Sequence, residues 1–153
     1  APVAERLAEL LPEREIVFAD ESVGDGIAYQ SKQLEPGQIL LLENLRFHMA
    51  EEGKGVVAGE KVKATKTEVA MFRQSLSKLG DVYINDAFGT CHRAHSSMVG
   101  VDVNPRAAGF LVKKELEYFS KVLRELEDQG LIEVDKRDVR IRDVRRLAAY
   151  QGG

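Results

Sequence analysis

The sequence predicts an α/β fold, a three-layer Rossmann-like parallel sheet flanked by helices. Three short apolar runs typical of strands buried on both faces alternate with segments of helical periodicity; they span residues 16–19, 39–42 and 82–84. Strands that alternate with helices pair in parallel through right-handed crossovers. The chain of 153 residues is 44% hydrophobic and 31% charged, which suits a globular domain with a core of its own.

Helices are predicted where apolar residues fall on one face of a 3.6-residue period. These segments are 2–11, 65–80 and 110–129. Gly80 and Gly130 are placed to end the second and third helices. Residues 49–64 contain glycines and lysines without the periodicity of a buried element, so we predict a surface loop there.

The pattern of apolar and polar residues changes in the C-terminal part of the sequence. Residues 131–134 and 139–142 alternate apolar and polar side chains around a charged turn, which predicts a β-hairpin. A short helix is predicted over 144–150, ending at Gly152-Gly153. We therefore divide the chain into a domain over residues 1–123 and a tail over residues 124–153.

Charge and cysteine content limit the partners and the compartment that the sequence suits. A net charge of −3 argues against a surface built entirely for nucleic acid, although it permits a local basic patch. Cys91 is the only cysteine, so no internal disulfide forms, and the free thiol suits a reducing compartment. No apolar run approaches the roughly 20 residues of a membrane span. We expect a cytoplasmic protein without a membrane partner.

Arg46 is the first candidate binding residue. It follows the second predicted strand, and the carboxyl ends of parallel strands border the crevice where α/β proteins bind ligands. Its guanidinium offers a planar set of donors that matches a carboxylate or a phosphate. The alternative is a structural ion pair with a nearby acid such as Glu43.

A second cluster follows the third predicted strand. His92, Arg93 and His95 stand close to Gly89 and several hydroxyl residues, a combination that suits an anion. A helix beginning near Ser96 would add its free N–H groups. The alternatives are that the histidines are ordinary surface residues and that Ser96 is only an N-cap. His-x-x-His supplies two metal ligands without a third at a suitable spacing, so we predict no metal site.

These segments resemble phosphoglycerate kinase. The similar blocks are Leu-Glu-Asn-Leu-Arg-Phe-His at 42–48, Glu-Glu-Gly-Lys-Gly at 51–55, Ser-Leu-Ser-Lys-Leu-Gly-Asp-Val-Tyr at 75–83, Asn-Asp-Ala-Phe-Gly-Thr at 85–90 and His-Arg-Ala-His-Ser-Ser-Met-Val-Gly at 92–100. Ala-Gly-Phe-Leu at 108–111 continues the match. The blocks stand in family order and extend from residue 2 to about residue 123.

The resemblance implies a substrate site for 3-phosphoglycerate. In that family these blocks belong to the N-terminal domain, which holds the substrate in a basic cleft facing a separate nucleotide-binding domain. Arg46 and Arg93 match the family's substrate-binding arginines, and His92 and His95 match histidines of its basic patch. Cys91 stands where the family usually has alanine.

The resemblance also shows which family motifs this sequence lacks. The family's Arg-x-Asp-x-Asn-x-Pro and His-Leu-Gly-Arg segments, which carry the catalytic arginine, do not occur, and neither do its glycine-rich nucleotide sites. Residues 53–61 lack the spacing of a phosphate-binding P-loop. Phosphoryl transfer needs a donor and Mg²⁺ held in line with the acceptor. We therefore assign no catalytic or cofactor residue, expect no kinase turnover from this chain alone, and expect Mg-ADP or Mg-ATP to bind on a complementary domain.

The tail has a weak resemblance of its own, to the last helix, wing hairpin and closing helix of winged-helix regulators. Its basic residues could contact the phosphates of DNA; they are Lys136, Arg137, Arg140, Arg142, Arg145 and Arg146. We favour instead a solvated hairpin whose apolar side covers a sheet edge. A non-enzymatic scaffold, or a chimera joined near residues 123–125, is the remaining alternative.

Overall fold

The computed structural model describes residues 2–136 and 138–150. Arg137 and the predicted helix end at Gly152-Gly153 lie outside them. The α-helices are α1 (Pro2–Leu10), α2 (Asp25–Lys32), α3 (Met49–Glu52), α4 (Lys66–Ser77), α5 (Ser96–Val99), α6 (Phe110–Asp128) and α7 (Val144–Ala148). The strands are β1 (Ile16–Phe18), β2 (Ile39–Leu41), β3 (Lys54–Val57), β4 (Glu60–Lys63), β5 (Tyr83–Asn85), β6 (Arg106–Ala108), β7 (Ile132–Asp135) and β8 (Asp138–Ile141).

The α/β class is confirmed by the pairing of the first two strands. β1 and β2 are parallel, with Ile16 opposite Ile39 and Phe18 opposite Leu41. They are joined through α2, as a parallel pair requires a crossover rather than a hairpin. The third predicted strand is β5, which pairs with β6. The chain forms two compact units, one over residues 2–85 and 89–107 and the other over residues 86–88 and the described residues from 108 onward.

The core of the first unit lies against α4. Phe72 and Leu76 of α4 are buried together with Val101. The helix begins with a capping box, in which the Thr65 hydroxyl accepts a hydrogen bond from the Glu68 N–H and the Glu68 carboxylate accepts one from the Thr65 N–H. Two orphan donors of the first turn are thereby satisfied, which fixes where α4 starts on the core.

The prediction of a loop over residues 49–64 is wrong, because this segment folds into α3 followed by the antiparallel hairpin of β3 and β4. Gly53 ends α3 in the left-handed conformation, with φ 73°. Ala58 and Gly59 both have positive φ, 49° and 85°, as a tight two-residue hairpin turn requires. The residues at the turns therefore determine the structure of this segment, which lacks the apolar periodicity of a buried helix or strand.

The second unit consists mainly of α6 and the C-terminal hairpin. The Asp86 carboxylate accepts a hydrogen bond from the Val112 N–H at 3.0 Å and so satisfies a donor in the first turn of α6. Leu131 and Ile132 are almost fully buried. The predicted hairpin is confirmed as antiparallel β7 and β8, followed by α7. Within the described ranges, no helix is long and apolar enough to cross a bilayer.

Candidate functional site

The predicted site residues after β5 lie together around one pocket. His92, Arg93 and His95 line an open pocket of about 350 Å³ in the first unit. The remaining lining residues are Glu52, Lys54 and Ala94. A short 3₁₀ turn, Phe88–Thr90, leads from β5 toward this segment, and the Arg93 N–H donates to the Thr90 carbonyl at 2.9 Å. The turn thus brings three cationic or potentially cationic side chains to one opening.

Arg93 is the pocket residue best suited to hold an anion. Its side chain is exposed, and across residues 2–136 and 138–150 it forms no ion pair. A guanidinium without a carboxylate partner keeps its donors available for a ligand. Arg93 can therefore take a carboxylate or phosphate without first breaking a salt bridge.

Arg46 reaches the pocket only through an acid on its rim. It lies in the 3₁₀ turn Leu45–Phe47, and its Nε is 3.1 Å from Oε1 of Glu52, which itself lines the pocket. The expected alternative partner, Glu43, instead accepts the Asn44 N–H at 2.6 Å. The Arg46 side chain is 48% exposed and that of Glu52 is 30% exposed, so this pair contributes little, about 0–1 kcal/mol.

His95 differs from a surface histidine because it is buried against an acid. Its Nδ1 lies 3.8 Å from Oε1 of Glu51, and the Glu51 residue is only 4% exposed. The other predicted histidine, His92, is exposed on the pocket wall. His92 is thus exposed, as a surface histidine is, but it lines the pocket, whereas the burial of His95 excludes the surface interpretation for that residue.

Glu51 also occupies the start of α5. It accepts hydrogen bonds from the Ser97 N–H at 2.9 Å and from the Ser97 hydroxyl. We expected the N–H groups of a helix beginning near Ser96 to attract a ligand. For Ser97 that expectation is wrong, because a buried carboxylate of the protein already takes its N–H.

Ser96 connects three helices rather than capping one. His95, not Ser96, is the N-cap residue of α5. The Ser96 hydroxyl donates to the Ala50 carbonyl at 2.7 Å and accepts from Nε of Arg73 at 3.1 Å. A Cβ on Gly100 would come within 2.2 Å of the Arg73 side chain, so glycine leaves the space that Arg73 needs. This polar network fixes α3, α4 and α5 behind the pocket.

Tyr83 anchors α5 from the strand side. Its hydroxyl donates to the Ser97 carbonyl at 2.8 Å, and the Arg106 guanidinium lies 4.8 Å from its ring centroid. Burial raises the pKa of the Tyr83 hydroxyl, although the neighbouring Arg106 charge opposes the shift. The neutral phenol is therefore the form that the folded protein favours.

Sequence reasoning missed two pocket residues, Glu52 and Lys54, and the buried partner of His95, Glu51, because all three fall in the segment predicted as a loop. Glu51 and Glu52 end α3, and Lys54 begins β3. The signal available was Gly53, a typical residue just after the end of a helix. Among residues 2–136 and 138–150, no group of three or more His, Cys, Asp and Glu side chains can hold a metal ion.

The basic tail residues are partly engaged within the second unit. Arg142 pairs with Glu133 across the hairpin at 3.0 Å. The Arg146 guanidinium donates to the Gln129 carbonyl at 3.4 Å. Each such contact reduces the positive charge that is free to meet DNA phosphates.

Fold and pocket together define an α/β protein whose strand-following loops gather polar and cationic side chains at one opening. A family model described as phosphoglycerate kinase matches residues 1–132, which is most of the chain. The chain therefore belongs to the phosphoglycerate kinase family, and the resemblance found in the sequence is confirmed.

Individual relatives agree with the family match. A phosphoglycerate kinase of Sterkiella nova is 59% identical over 122 residues, covering 80% of this chain and 29% of that protein. The phosphoglycerate kinase of Saccharomyces cerevisiae is 56% identical over 123 residues, covering 80% and 29%. The crystal structure of phosphoglycerate kinase from Pyrococcus horikoshii OT3 is similar with a TM-score of 0.59 and 34% identity, over 78% of this chain and 28% of that one. The chain thus spans under a third of the length of these relatives.

Proposed function

We propose that this chain binds 3-phosphoglycerate at the pocket of His92, Arg93 and His95, with Arg46 at the rim. The observation that supports the proposal most is the exposed Arg93 guanidinium on the pocket wall, which has no ion pair among the described residues. The ligand carries a carboxylate and a phosphate, both of which match a planar guanidinium. The proposed role in the family's reaction is to hold this acid.

Arg46 contributes after a change of partner. Because the Arg46 pair with Glu52 is half-exposed and contributes at most about 1 kcal/mol, a ligand carboxylate or phosphate can replace it. Glu52 is itself a negative charge on the pocket wall and opposes the ligand. We therefore expect Arg46 to contribute less than Arg93 to ligand affinity.

Phosphoryl transfer is proposed to need a second domain. The family relatives are more than three times as long as the matched region, and transfer requires a nucleotide and Mg²⁺ aligned with the acceptor. We propose that a complementary nucleotide-binding domain provides that donor site and that this chain alone gives no turnover. The exposed thiol of Cys91 suits a reducing compartment, so we place this activity in the cytoplasm.

Calorimetric titration with 3-phosphoglycerate tests the binding proposal. The unaltered chain should bind with a dissociation constant of about 1 mM, equivalent to about 4 kcal/mol. Arg93→Ala should weaken binding about tenfold, because a hydrogen-bonded charge contact contributes about 1.5 kcal/mol or more, and Arg46→Ala should weaken it less. Arg6→Ala, which removes an exposed arginine of α1, is the control and should not change affinity. Equal affinities for all four proteins would refute the site.

A separate assay tests whether phosphoryl transfer needs the second domain. ATP formation from 1,3-bisphosphoglycerate and ADP should be absent with this chain alone and should remain dependent on Arg93 if a separately produced nucleotide-binding domain restores it. Turnover by the isolated chain would contradict the proposal that the donor site lies elsewhere.

A further inference from the structure

The β3–β4 hairpin beside the pocket carries its lysines on one face. Its register places Lys54 opposite Lys63 and Val56 opposite Lys61. Directly paired residues, and residues two apart along a strand, share one face of a hairpin. One face therefore carries Lys54, Val56, Lys61 and Lys63, which we term the basic hairpin face.

The opposite face of the hairpin contacts α3 at one end only. It carries Gly55, Val57, Glu60 and Val62. A Cβ on Gly55 would come within 2.5 Å of the Met49 side chain, so this face lies against α3 at that end. Glu60, the one acidic residue of the hairpin, is on this opposite face, directly paired with Val57, and not on the face of the lysines. At the Gly55 end, the basic hairpin face is therefore turned away from α3.

In the described part of the chain, no acidic side chain forms an ion pair with the three lysines of this face. Lys54, Lys61 and Lys63 are exposed, and within the described ranges none of them forms an ion pair. Lys54 and Lys63 are directly opposite each other, and like charges in that arrangement repel. A bound anion would remove this repulsion, whereas no side chain of the described protein does so.

The basic hairpin face is continuous with the pocket. Lys54 lines the pocket together with His92 and Arg93, and it is also the first residue of β3. Lys61 is two residues from Lys63, which corresponds to about 6.8 Å along an antiparallel strand. A row of positive groups therefore leads from Arg93 through Lys54 and Lys63 to Lys61.

We propose that the basic hairpin face is an anion subsite that extends the pocket and takes a free, linear oligophosphate of at least three phosphates. Ammonium groups bind phosphate oxygens as point charges and do not demand one fixed geometry, which suits a flexible chain of phosphates. Val56 is the one apolar residue on the face, and no aromatic side chain is present there. The face therefore offers nothing on which nucleic-acid bases stack, and a single valine gives a lipid surface little apolar area to bind.

The subsite goes beyond the proposed binding of 3-phosphoglycerate, because that small acid does not span the pocket and the hairpin together. It rests on the proposed function through the shared pocket, which Lys54 lines together with His92 and Arg93. Lys61 and Lys63 stand outside the pocket lining, so their removal separates the two sites.

Titration of the full chain with inorganic tripolyphosphate at low salt tests the subsite. The double variant Lys61→Gln with Lys63→Gln should weaken tripolyphosphate binding about tenfold and make it less dependent on salt, because fewer counterions are exchanged. Its affinity for 3-phosphoglycerate should stay unchanged. The matched control, Lys32→Gln with Lys78→Gln, removes the same charge from exposed positions on α2 and after α4, and should have less than a twofold effect.

Amide NMR shifts recorded in the same titrations separate the two proposals. Tripolyphosphate should shift amides of residues 54–63 as well as those of residues 92–95, while orthophosphate should not shift the hairpin. Equal loss of tripolyphosphate affinity in the two double variants, or an unshifted hairpin, would overturn the subsite. If 3-phosphoglycerate fails to bind while tripolyphosphate shifts the hairpin, the proposed function is wrong and the subsite stands.

Discussion

Glu51 is the buried acid on which the back of the pocket depends, and its replacement by alanine should destabilise the protein strongly. Its carboxylate accepts two hydrogen bonds from Ser97 and lies 3.8 Å from Nδ1 of His95. Hydrogen bonds to a charged group contribute about 1.5–3 kcal/mol each, and donors left unpaired in the interior carry their own cost. Because contributions that share one residue are not additive, we expect a loss of about 3 kcal/mol.

The neighbouring acid supplies the control. Glu52→Ala removes a carboxylate of the same helix, but its pair with Arg46 is half-exposed, so the expected loss is at most about 1 kcal/mol. Urea unfolding followed by far-UV circular dichroism measures both variants, and faster hydrogen exchange at the Ser97 amide should accompany Glu51→Ala. If Glu51→Ala is no less stable than Glu52→Ala, the buried carboxylate does not hold α5.

Three further changes test the local physics. Thr65→Ala should cost about 1 kcal/mol by removing the α4 cap. Hydrogen bonds from Thr65 lower the pKa of the Glu68 carboxyl below its usual 4.5. The unaltered chain should therefore gain stability above that pH and lose it as pH falls through the lower folded pKa. Urea unfolding at neutral and acidic pH should show a smaller pH effect in Thr65→Ala. Tyr83→Phe should reduce the free energy of unfolding by about 1 kcal/mol, because it removes the hydrogen bond to the Ser97 carbonyl. Since burial raises the pKa of the Tyr83 hydroxyl, the variant should also lose less stability as pH rises above 10. Urea unfolding at neutral and alkaline pH measures both effects. Phe72→Ala should cost about 3–5 kcal/mol in the same unfolding assay, because the ring is 6% exposed in the core. A fully stable Phe72 variant would contradict the assignment of the core.

Periodicity in the sequence was sufficient for the long elements. The helix predicted over 110–129 is α6 (Phe110–Asp128), and the period-two alternation after Gly130 predicted the hairpin of β7 and β8 correctly. Each of these elements repeats its pattern over several residues. Repetition makes the buried face evident without knowledge of its packing partner.

The segment 49–64 could not be assigned in that way because its structure comes from turns. Its helix has four residues, and its strands expose most of their side chains, so burial imposes no apolar period. The available signals were the glycines at the helix end and at the hairpin turn. The same reason explains why Glu52 and Lys54 were missed as pocket residues and Glu51 as the partner of His95.

The candidate site was predictable in its residue types but not in its pairings. Family blocks pointed to His92, Arg93 and His95, which share a pocket in the structure. The partners of Arg46 and His95 are acids from α3, a helix that the sequence pattern did not predict. Contacts between segments far apart in sequence depend on the tertiary fold, and single-sequence patterns carry little information about them.

NMR titration with 3-phosphoglycerate is the most direct test of the anion pocket. The imidazole signals of His92 and His95 should shift together and saturate with a dissociation constant of about 1 mM, and the same addition to Arg93→Ala should shift them far less. Imidazole signals that stay unchanged up to tens of millimolar ligand, or that respond equally in both proteins, would contradict a pocket in which Arg93 holds the acid.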